Sequence, residues 1–598
     1  MVDVGRHPNI ELLTLCEVAE VKGYVGNFEV TLRKHPGYVT EDCTFCGECL
    51  ERCNVFTEDE FNVNRALRKA IYTPFLQSVP RQYVIDDKVC IHFSEESCQK
   101  CMEDCKKHAI DFSQVVEEET VHVGAIIVAT GIKPYDPTGL YGYGDNRFPD
   151  VITSMELERM MSPEGPTNGE IIQPSTGKTP SSVAFIQCVG SRSQKEGQLP
   201  YCSKLCCPNT VKNTLLLKER FPELDLYVFH NGIRNSGNRQ ERMFLEARKK
   251  GVVFVNTFPE ITQGHVLIFS DPLLGLERLM KKQFDLVVLA VGILPTAVEM
   301  SELLGVPLGK RGFVKEDNQL SPTSTPTKGI YFAGAVGSPA DIKQCIEQAG
   351  SAAMQVSKHF QRDTAELSPI IAKVDFEKCT GCGKCSNQCL FGAIRIEDKM
   401  AVITEAACRG CGNCVNSCKF GAISISNYSD EQLRAQLRAA LREPEDKVIV
   451  FACHWCSYAG ADFAGTSRLQ YSPNTRIIKT MCSCRVTVDL IKYAFALGAP
   501  KVIVSGCHPG DCHYLDNNMF TKSRVMKFKE KLSSKGINPE RLMLEWVSAS
   551  EGQRFVEAVQ KMEQLTVDED EIEMTKMIFS EPNKRKTRKK VQKQIEKI

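Results

Sequence analysis

Cysteines are the residues through which this chain most plainly does chemistry. Cys379-x-x-Cys382-x-x-Cys385-x-x-x-Cys389 is followed, after eighteen residues, by Cys408-x-x-Cys411-x-x-Cys414-x-x-x-Cys418. Two copies of that spacing wrap two 4Fe-4S clusters, the fourth cysteine of each run crossing to the other cluster. Thiolates are needed because iron in such clusters takes soft, anionic ligands. Phe391-Gly392-Ala393-Ile394 and Phe420-Gly421-Ala422-Ile423 follow the two runs and mark an internal duplication. A pair of four-cysteine zinc sites is the competing assignment, but those pair short Cys-x-x-Cys knuckles and do not use runs of four. The motif predicts an electron-transfer module.

Three further cysteine groups follow the same logic. Cys43-x-x-Cys46-x-x-Cys49-x-x-x-Cys53 is a full run, and its partner is Cys90 with Cys98-x-x-Cys101-x-x-x-Cys105, stretched between its first two members. By the crossover rule one cluster takes Cys43, Cys46, Cys49 and Cys105, and the other takes Cys90, Cys98, Cys101 and Cys53. Cys188, Cys202, Cys206 and Cys207 form a compact group beside Tyr201 and Arg192. It is expected to hold a fifth cluster, with a set of buried or redox-active thiols as the alternative. Near the C-terminus Cys453-His454-Trp455-Cys456, Cys482-Ser483-Cys484 and Cys507-His508-Pro509-Gly510-Asp511-Cys512-His513 each end an apolar run that reads as a strand. Cysteines at three strand ends of an α/β domain converge at the carboxyl edge of the sheet, where such sheets bind ligands. Six cysteines exceed one cluster's need, and which four bind stays open. His454, His508 and His513 are expected to be hydrogen-bonding neighbours and not ligands. Cys16 and Cys345 read as core thiols.

Composition sets the frame. A chain of 598 residues should hold several domains. Lys plus Arg and Asp plus Glu both number 74, which points to no polyanionic partner and no nucleic acid. No apolar run approaches the ~18 residues of a membrane span, and the first twenty residues show no signal-peptide core. With 28 cysteines and no export signal, a reducing, cytoplasmic setting and metal binding are expected in place of disulfides.

These thiols need elements to position them. Strands are predicted over 10–15, 16–21 and 28–32, the last by its alternation. Val123-Gly124-Ala125-Ile126-Ile127-Val128-Ala129-Thr130-Gly131 reads as a buried strand ending in Ala-Thr-Gly, and Phe284-Asp285-Leu286-Val287-Val288-Leu289-Ala290-Val291-Gly292 repeats that shape. Gly329-Ile330-Tyr331-Phe332-Ala333-Gly334-Ala335 precedes a helix predicted over 341–359. Small residues at such strand ends let backbone approach a cofactor. No Gly-x-Gly-x-x-Gly follows a strand. Where a second dinucleotide domain would carry it, after Val183-Ala184-Phe185-Ile186, stands Gln187-Cys188-Val189-Gly190-Ser191-Arg192, which argues against NAD(P)H at that loop. A helical linker is predicted over 429–443. Beyond Thr566, Asp568-Glu569-Asp570-Glu571 and Lys584-Arg585-Lys586-Thr587-Arg588-Lys589-Lys590 read as a solvated, disordered tail.

The Gln187–Arg192 loop, Tyr201-Cys202-Ser203, Cys206-Cys207 and an inserted ferredoxin ahead of Ala129-Thr130-Gly131 resemble the A-subunit of heterodisulfide reductase, from the first residues to about Ser426. Residues 447–565 resemble the delta subunit of methyl-viologen-reducing hydrogenase, whose cysteines match Cys453, Cys456, Cys482, Cys507 and Cys512 but not Cys484. These resemblances imply an α/β, thioredoxin-reductase-like two-dinucleotide-domain flavoprotein, incomplete at its N-terminus, with two α+β bacterial-type ferredoxin domains and a C-terminal α/β iron–sulfur domain. The implied boundaries are a partial FAD-binding domain over 1–40, 108–180 and 320–362, ferredoxins over 41–107 and 369–426, a second Rossmann-like domain over 181–319, the delta-like domain over 447–565 and the tail over 566–598.

FAD is expected against Ala129, Thr130, Gly131, Gly334 and Ala335, four 4Fe-4S clusters in the ferredoxins and one 2Fe-2S cluster in the delta-like domain. Arg234 or Arg239 is expected to place positive charge by reduced flavin, a surface arginine being the alternative. The family's N-terminal Gly-rich FAD fingerprint is not in this sequence, and the expectation is that it continues upstream of Met1 through a recoded selenocysteine codon. The implied function is relay of electrons from a hydrogenase or formate dehydrogenase to FAD, then to ferredoxin and a disulfide- or quinone-linked acceptor by flavin-based bifurcation. Implied partners are heterodisulfide reductase B- and C-like subunits, with the chain a dimer in a larger complex. A flavin-free multi-cluster scaffold and an NAD(P)H-dependent glutamate-synthase-like flavoprotein stay open as alternatives.

Overall fold

A computed structural model describes residues 2–580 except 96–97, 146, 263–264, 271–278, 319, 362–363 and 365–367. The chain forms two compact units, one built from residues up to Lys358 and the other from His359 onward. Two short stretches, Gly305–Pro307 and Pro326–Lys328, cluster with the second. Both units are mixed α/β, and among the described residues no helix is long and apolar enough to cross a membrane.

In the first unit Cys16–Tyr24, Asn27–Lys34 and Glu117–Val123 make an antiparallel sheet in that order. Residues 10–15, expected as a strand, are not one: Leu15 takes a positive φ of 55°, and Ile10, Leu12, Leu13 and Leu15 are exposed. Two leucines in a row cannot both face a core in a period-two strand. The first cysteine cassette is an insertion between Asn27–Lys34 and Glu117–Val123. Its ends pair with each other, Thr40 N donating to Ala109 O at 2.7 Å and Asp111 N to Tyr38 O at 3.1 Å.

A five-stranded parallel sheet follows, in the order Val151–Thr153, Leu286–Val291, Ser182–Val189, Asp225–Phe229, Val253–Val255. Val183, Phe185, Leu226, Val228, Leu286 and Val288 pack under the Cys206–Arg220 helix, while Ala184, Ile186, Phe229, Val287 and Leu289 pack under the antiparallel strand Val266–Ser270. Burial on both faces explains why these strands read as continuous apolar runs.

Ile126–Val128 pairs in parallel with Ile330–Phe332. The stretch through Thr130 is only partly buried, contrary to expectation, with Ile127, Ala129 and Thr130 exposed. Among the described residues this sheet has two strands, so each has one unpaired edge. The Ile342–Phe360 helix runs on from Asp341, whose carboxylate accepts from Gln344 N at 2.8 Å.

In the second unit the duplicated ferredoxin pairs Ala372–Val374 with Ile423–Ile425 and Ile394–Glu397 with Met400–Ile403. The linker helix Asp430–Ala440 starts at a capping box, Ser429 with Gln432. The C-terminal domain is a four-stranded parallel sheet ordered Thr475–Thr480, Val448–Cys453, Lys501–Gly506, Leu542–Trp546.

The acidic stretch expected to be disordered is instead the start of a helix, Glu569–Ser580. Phe579 packs on Phe495 and Phe528, and fully buried Arg541 donates to Thr575 Oγ1 at 2.7 Å and Glu571 Oε1 at 3.2 Å. Apolar spacing at Met574, Ile578 and Phe579 outweighs the charge run. The basic stretch 584–590 lies outside the described residues.

Candidate thiol sites and the cofactor cleft

The parallel sheet of the second unit delivers three thiols to one edge. Val448–Cys453 ends on Cys453, Thr475–Thr480 runs on to Cys482, and Lys501–Gly506 runs on to Cys507. The Sγ atoms of Cys453, Cys456 and Cys507 lie within 4.8 Å of one another, all buried. Cys512 packs against these three, and side-chain hydrogen bonds link it to Cys482 and Cys507. Thiols of Cys456, Cys482 and Cys507 hydrogen-bond Cys453 and hold its pKa well below the usual thiol range despite burial. The same bond to Cys453 pushes Cys482 up. One anionic sulfur shared among close thiols is the donor chemistry of a soft-metal site.

None of the three neighbouring histidines joins this thiol set among the described residues. His508 Nε2 meets Glu551 Oε2 at 2.6 Å, and His513 stacks on Trp455 at 3.8 Å between ring centroids. Trp455 Nε1 donates to Tyr514 Oη at 2.9 Å. Cys484 is fully buried, and its thiol donates to Asn413 Oδ1 of the ferredoxin while Cys482 and Cys512 remain near enough to interact with it.

In that ferredoxin Cys379, Cys382, Cys385 and Cys418 line one pocket. Burial and then the charges of Cys408 and Cys389 push Cys414 up, and Cys411 feels burial, then Cys484, then Cys414 and Cys389. The fourth cysteine of each run thus stands with the other run's three. Backbone N–H groups donate to sulfur at Ala372 to Cys408 (3.3 Å), Ala401 to Cys379 (3.4 Å) and Ala422 to Cys418 (3.3 Å). Such bonds stabilise thiolate and tune a cluster's potential.

The inserted cassette repeats the geometry. Cys43, Cys46, Cys49 and Cys105 line a pocket, with Ala109 N donating to Cys105 Sγ at 3.3 Å. Burial, then Cys90, Cys49 and Cys53, push Cys101 up to about 12, and Cys53 and Cys98 act on Cys90 behind burial.

Cys188, Cys202, Cys206 and Cys207 also stand close. Cys206 is pushed up to about 12 by burial and then by Cys207, Cys188 and Cys202. No three of them bring their sulfurs within 4.8 Å among the described residues. In the loop before them Cys188, Gly190 and Arg192 all take positive φ. A Cβ on Gly190 would stand 2.3 Å from the Tyr135 ring.

A cleft of about 1470 Å³ opens beside this group, lined by Cys206, Lys212, Arg239, Gly292 and Cys345 among others. Arg239 reaches it. Arg234 does not line it and instead acts on Cys188 and, through its backbone, on Cys207. Cys345, expected in the core, is half-buried on the cleft wall. Cys16 is likewise only half-buried. Lys212, bonded to Glu158 Oε1, is a cleft residue that the motifs do not mark. A weaker signal does mark it: Cys206, Asn209, Lys212 and Leu216 all line the cleft at helical spacing.

Gly334, at φ +79°, accepts no large neighbour, Cys345 Sγ standing 3.4 Å from its Cβ position, and its N–H donates to Gln348 Oε1 at 2.8 Å. Gly131, at φ +76°, opens on free space. Ala129–Gly131 and Ala333–Ala335 follow adjacent parallel strands, so the two small-residue ends stand side by side.

Residues 448–569 match the family of the methyl-viologen-reducing hydrogenase delta subunit, and residues 371–419 match the 4Fe-4S dicluster domain. The A-subunit of the ferredoxin:CoB-CoM heterodisulfide reductase of Methanosarcina mazei is 38% identical over 583 residues, covering 94% of this chain and 72% of the relative. The chain belongs to the heterodisulfide reductase A-subunit family. The A-subunit of the ferredoxin/F(420)H(2)-dependent CoB-CoM heterodisulfide reductase of Methanosarcina acetivorans is 39% identical, covering 93% of this chain and 70% of the relative. The A-subunit of the H(2):CoB-CoM heterodisulfide,ferredoxin reductase of Methanothermobacter marburgensis is 42% identical, covering 75% and 68%. The expectation that likeness to this family ends near Ser426 is corrected, because a match over 94% of the chain extends well into the C-terminal domain. Members of this family are oxidoreductase subunits, and the dicluster match makes this one an iron–sulfur protein. A thioredoxin reductase from T. acidophilum is 16% identical with a TM-score of 0.27, covering 41% of this chain and 70% of that one.

Proposed function

We propose that this chain is the electron-relay component of a heterodisulfide-reductase-type complex. Its C-terminal thiol set takes electrons from a hydrogenase or formate dehydrogenase partner, and its ferredoxins pass them on. Bound iron–sulfur clusters supply one-electron carriers and bound FAD a two-electron centre, which together allow an electron pair to be split between ferredoxin and a disulfide- or quinone-linked acceptor.

One observation carries the reading. In the second unit, the C-terminal thiol set and the second ferredoxin run share a buried core. Cys482, Cys484 and Tyr514 pack with Phe391 and Ala393, and with Cys389, Cys408 and Cys411 at its edge. Two thiol sets in one dry core suit electron transfer between fixed carriers.

In this reading Cys453, Cys456, Cys482, Cys507 and Cys512 supply the ligands of a 2Fe-2S cluster. Cys379, Cys382, Cys385 and Cys418 hold one ferredoxin cluster, and Cys389, Cys408, Cys411 and Cys414 the next. Cys43, Cys46, Cys49 and Cys105 hold a third, and Cys53, Cys90, Cys98 and Cys101 a fourth. A fifth belongs on Cys188, Cys202, Cys206 and Cys207, where Arg234 balances its charge. Gly131 and Gly334 present backbone to FAD, Ala129, Thr130 and Ala335 keep its approach clear, and Arg239 supplies positive charge in the cleft, where Lys212 is paired with Glu158. Tyr135 against Gly190 favours a cleft that does not take NAD(P)H. Partners are B- and C-like subunits and ferredoxin, in a dimeric assembly in the cytoplasm.

Anaerobic purification with iron, sulfide and flavin analysis tests the reading. Stoichiometric FAD and both cluster types by EPR support it. Clusters without flavin favour a multi-cluster scaffold, and reduction by NADPH alone would move the chain to the glutamate-synthase-like class.

A further inference from the structure

Cys484 is the cysteine of the C-terminal domain whose thiol reaches the second ferredoxin run. Its backbone N–H donates to Cys482 Sγ at 3.4 Å, and its own thiol donates to Asn413 Oδ1 at 3.1 Å. Asn413 sits in the Cys411-Gly412-Asn413-Cys414 turn of the ferredoxin, and its Nδ2 donates to Gln388 O, the residue before Cys389, at 2.9 Å. The Cys484 carbonyl is held from two sides, by Asn416 Nδ2 at 2.5 Å and Arg524 Nη2 at 2.8 Å. Cys484 is 0% exposed and Asn413 3%.

We propose that Cys484 and Asn413 form the electron-coupling bridge between the C-terminal thiol set and the second ferredoxin run, with Cys484 a positioning residue and not a ligand. This rests on the reading that both thiol sets hold clusters. The path is continuous: Cys482 Sγ, the Cys484 N–H, its Cα, Cβ and Sγ–H, Asn413 Oδ1, and the backbone of Asn413 into Cys414. Every link is a covalent bond or a hydrogen bond, and no link crosses solvent. A cluster held by Cys482 and one held by Cys414 would supply the two ends of a one-electron transfer, and the bridge itself breaks no bond and moves no proton. The electron's source is a low-potential one-electron reductant.

An ordinary core cysteine packs as a small hydrophobe with no need of polar partners. Cys484 instead has polar partners on the thiol itself, Asn413 Oδ1 at 3.1 Å as acceptor and Arg524 Nη2 at 3.5 Å as donor. Its sulfur is not among the thiols bonded to Cys453, and it meets Asn413 Oδ1 and Arg524 Nη2 instead. The three donors and acceptors also fix the ferredoxin turn against the Cys482–Cys484 segment, so the path length does not drift.

The test uses the full, cluster-loaded chain with Cys484→Ala, Cys484→Val and Cys484→Ser. Alanine and valine remove the donor with opposite changes in volume, whereas serine restores an O–H to Asn413. The readouts are iron content, the EPR spin–spin interaction between the two reduced clusters, and the stopped-flow rate of ferredoxin reduction by dithionite-reduced methyl viologen. The expected result is unchanged iron in all three variants. Alanine and valine slow the inter-cluster step about tenfold, the low end for an outer-shell partner, and weaken the spin–spin interaction, while serine returns both toward wild type. Iron loss confined to the C-terminal cluster in alanine and valine would make Cys484 a ligand and overturn the proposal. Equal rates and equal spin coupling in all variants would also overturn it. A wild-type protein with no 2Fe-2S signal fails the underlying reading, and that outcome is seen before any variant is made.

Discussion

Gly412→Ala tests whether the ferredoxin and the C-terminal domain act as one folded body. Gly412 has φ +83°, and a Cβ there would stand 2.6 Å from Arg485 Cδ, 3.1 Å from its Cβ and 3.2 Å from its Cα. Arg485 cannot swing aside, because it is 1% exposed, with Nε on Tyr428 O at 2.9 Å and Nη2 on Asp430 Oδ1 at 2.6 Å. Left-handed backbone costs a residue with a Cβ about 1–2 kcal/mol. Overpacking against fixed neighbours adds about 1–3 kcal/mol, for a total of about 2–5 kcal/mol. Gly421→Ala is the control: it shares the left-handed φ, +64°, but its Cβ meets nothing within 4 Å. It should carry only the backbone term. The assay is urea-induced bleaching of the ferredoxin's visible absorption under anaerobic conditions. With a urea slope of about 3 kcal/mol/M, the Gly412→Ala midpoint should fall about 0.3–1 M below that of Gly421→Ala. Equal midpoints would refute the idea that Arg485 and Gly412 lock the two domains.

Other outcomes follow from the same structure. Cys385→Ser removes one of the four thiols lining the Cys379–Cys418 pocket; it should cost one cluster's iron and block donor-driven flavin reduction, and a normal rate sinks the relay order. Arg541→Ala strips four partners from a side chain with no exposure, Pro500 O and Ala499 O included. It should destabilise the C-terminal domain by about 3–5 kcal/mol, with limited proteolysis cutting first near the Glu569–Ser580 helix. Glu551 has its pKa lowered from 4.5 to about 2 by the Ser548 N–H and then His508. Its contribution is therefore full above pH 4.5 and lost as pH falls toward 2. The stability gap between wild type and Glu551→Gln, followed by urea titration of the cluster-free chain, should be present at pH 5 and close as pH falls from 4.5 toward 2. A gap that widens on acidification would contradict it.

How far the sequence alone carries can be seen residue by residue. The ferredoxin spacing is a covalent ruler, so the grouping of Cys418 with Cys379 and of Cys105 with Cys43 was legible without coordinates. The continuous apolar runs Leu286–Val291 and Val448–Cys453 were legible as buried parallel strands for the same local reason. Residues 10–15 misled because leucine content outweighed the absence of alternation. The Glu569–Ser580 helix was hidden by its charge, since what folds it is Arg541, a residue nearly thirty positions away. Cys345 and Lys212 became cleft residues through packing between elements distant in sequence, which no local pattern reports. The sequence set Cys484 apart from the family's five cysteines, but its contacts with Asn413 and Arg524 are of the same non-local kind.

The pairing of Tyr38 and Thr40 with Asp111 and Ala109 gives the inserted ferredoxin the standing of a hairpin turn. To the Asn27–Lys34 and Glu117–Val123 strands, a folded cassette whose ends are already hydrogen-bonded is equivalent to a short loop, and the entropy of closing it grows only slowly with length. A module joined by such a stem can be gained, lost or exchanged without re-registering the sheet beneath it. The thiols of this insertion are therefore carried separately from the sheet that bears it.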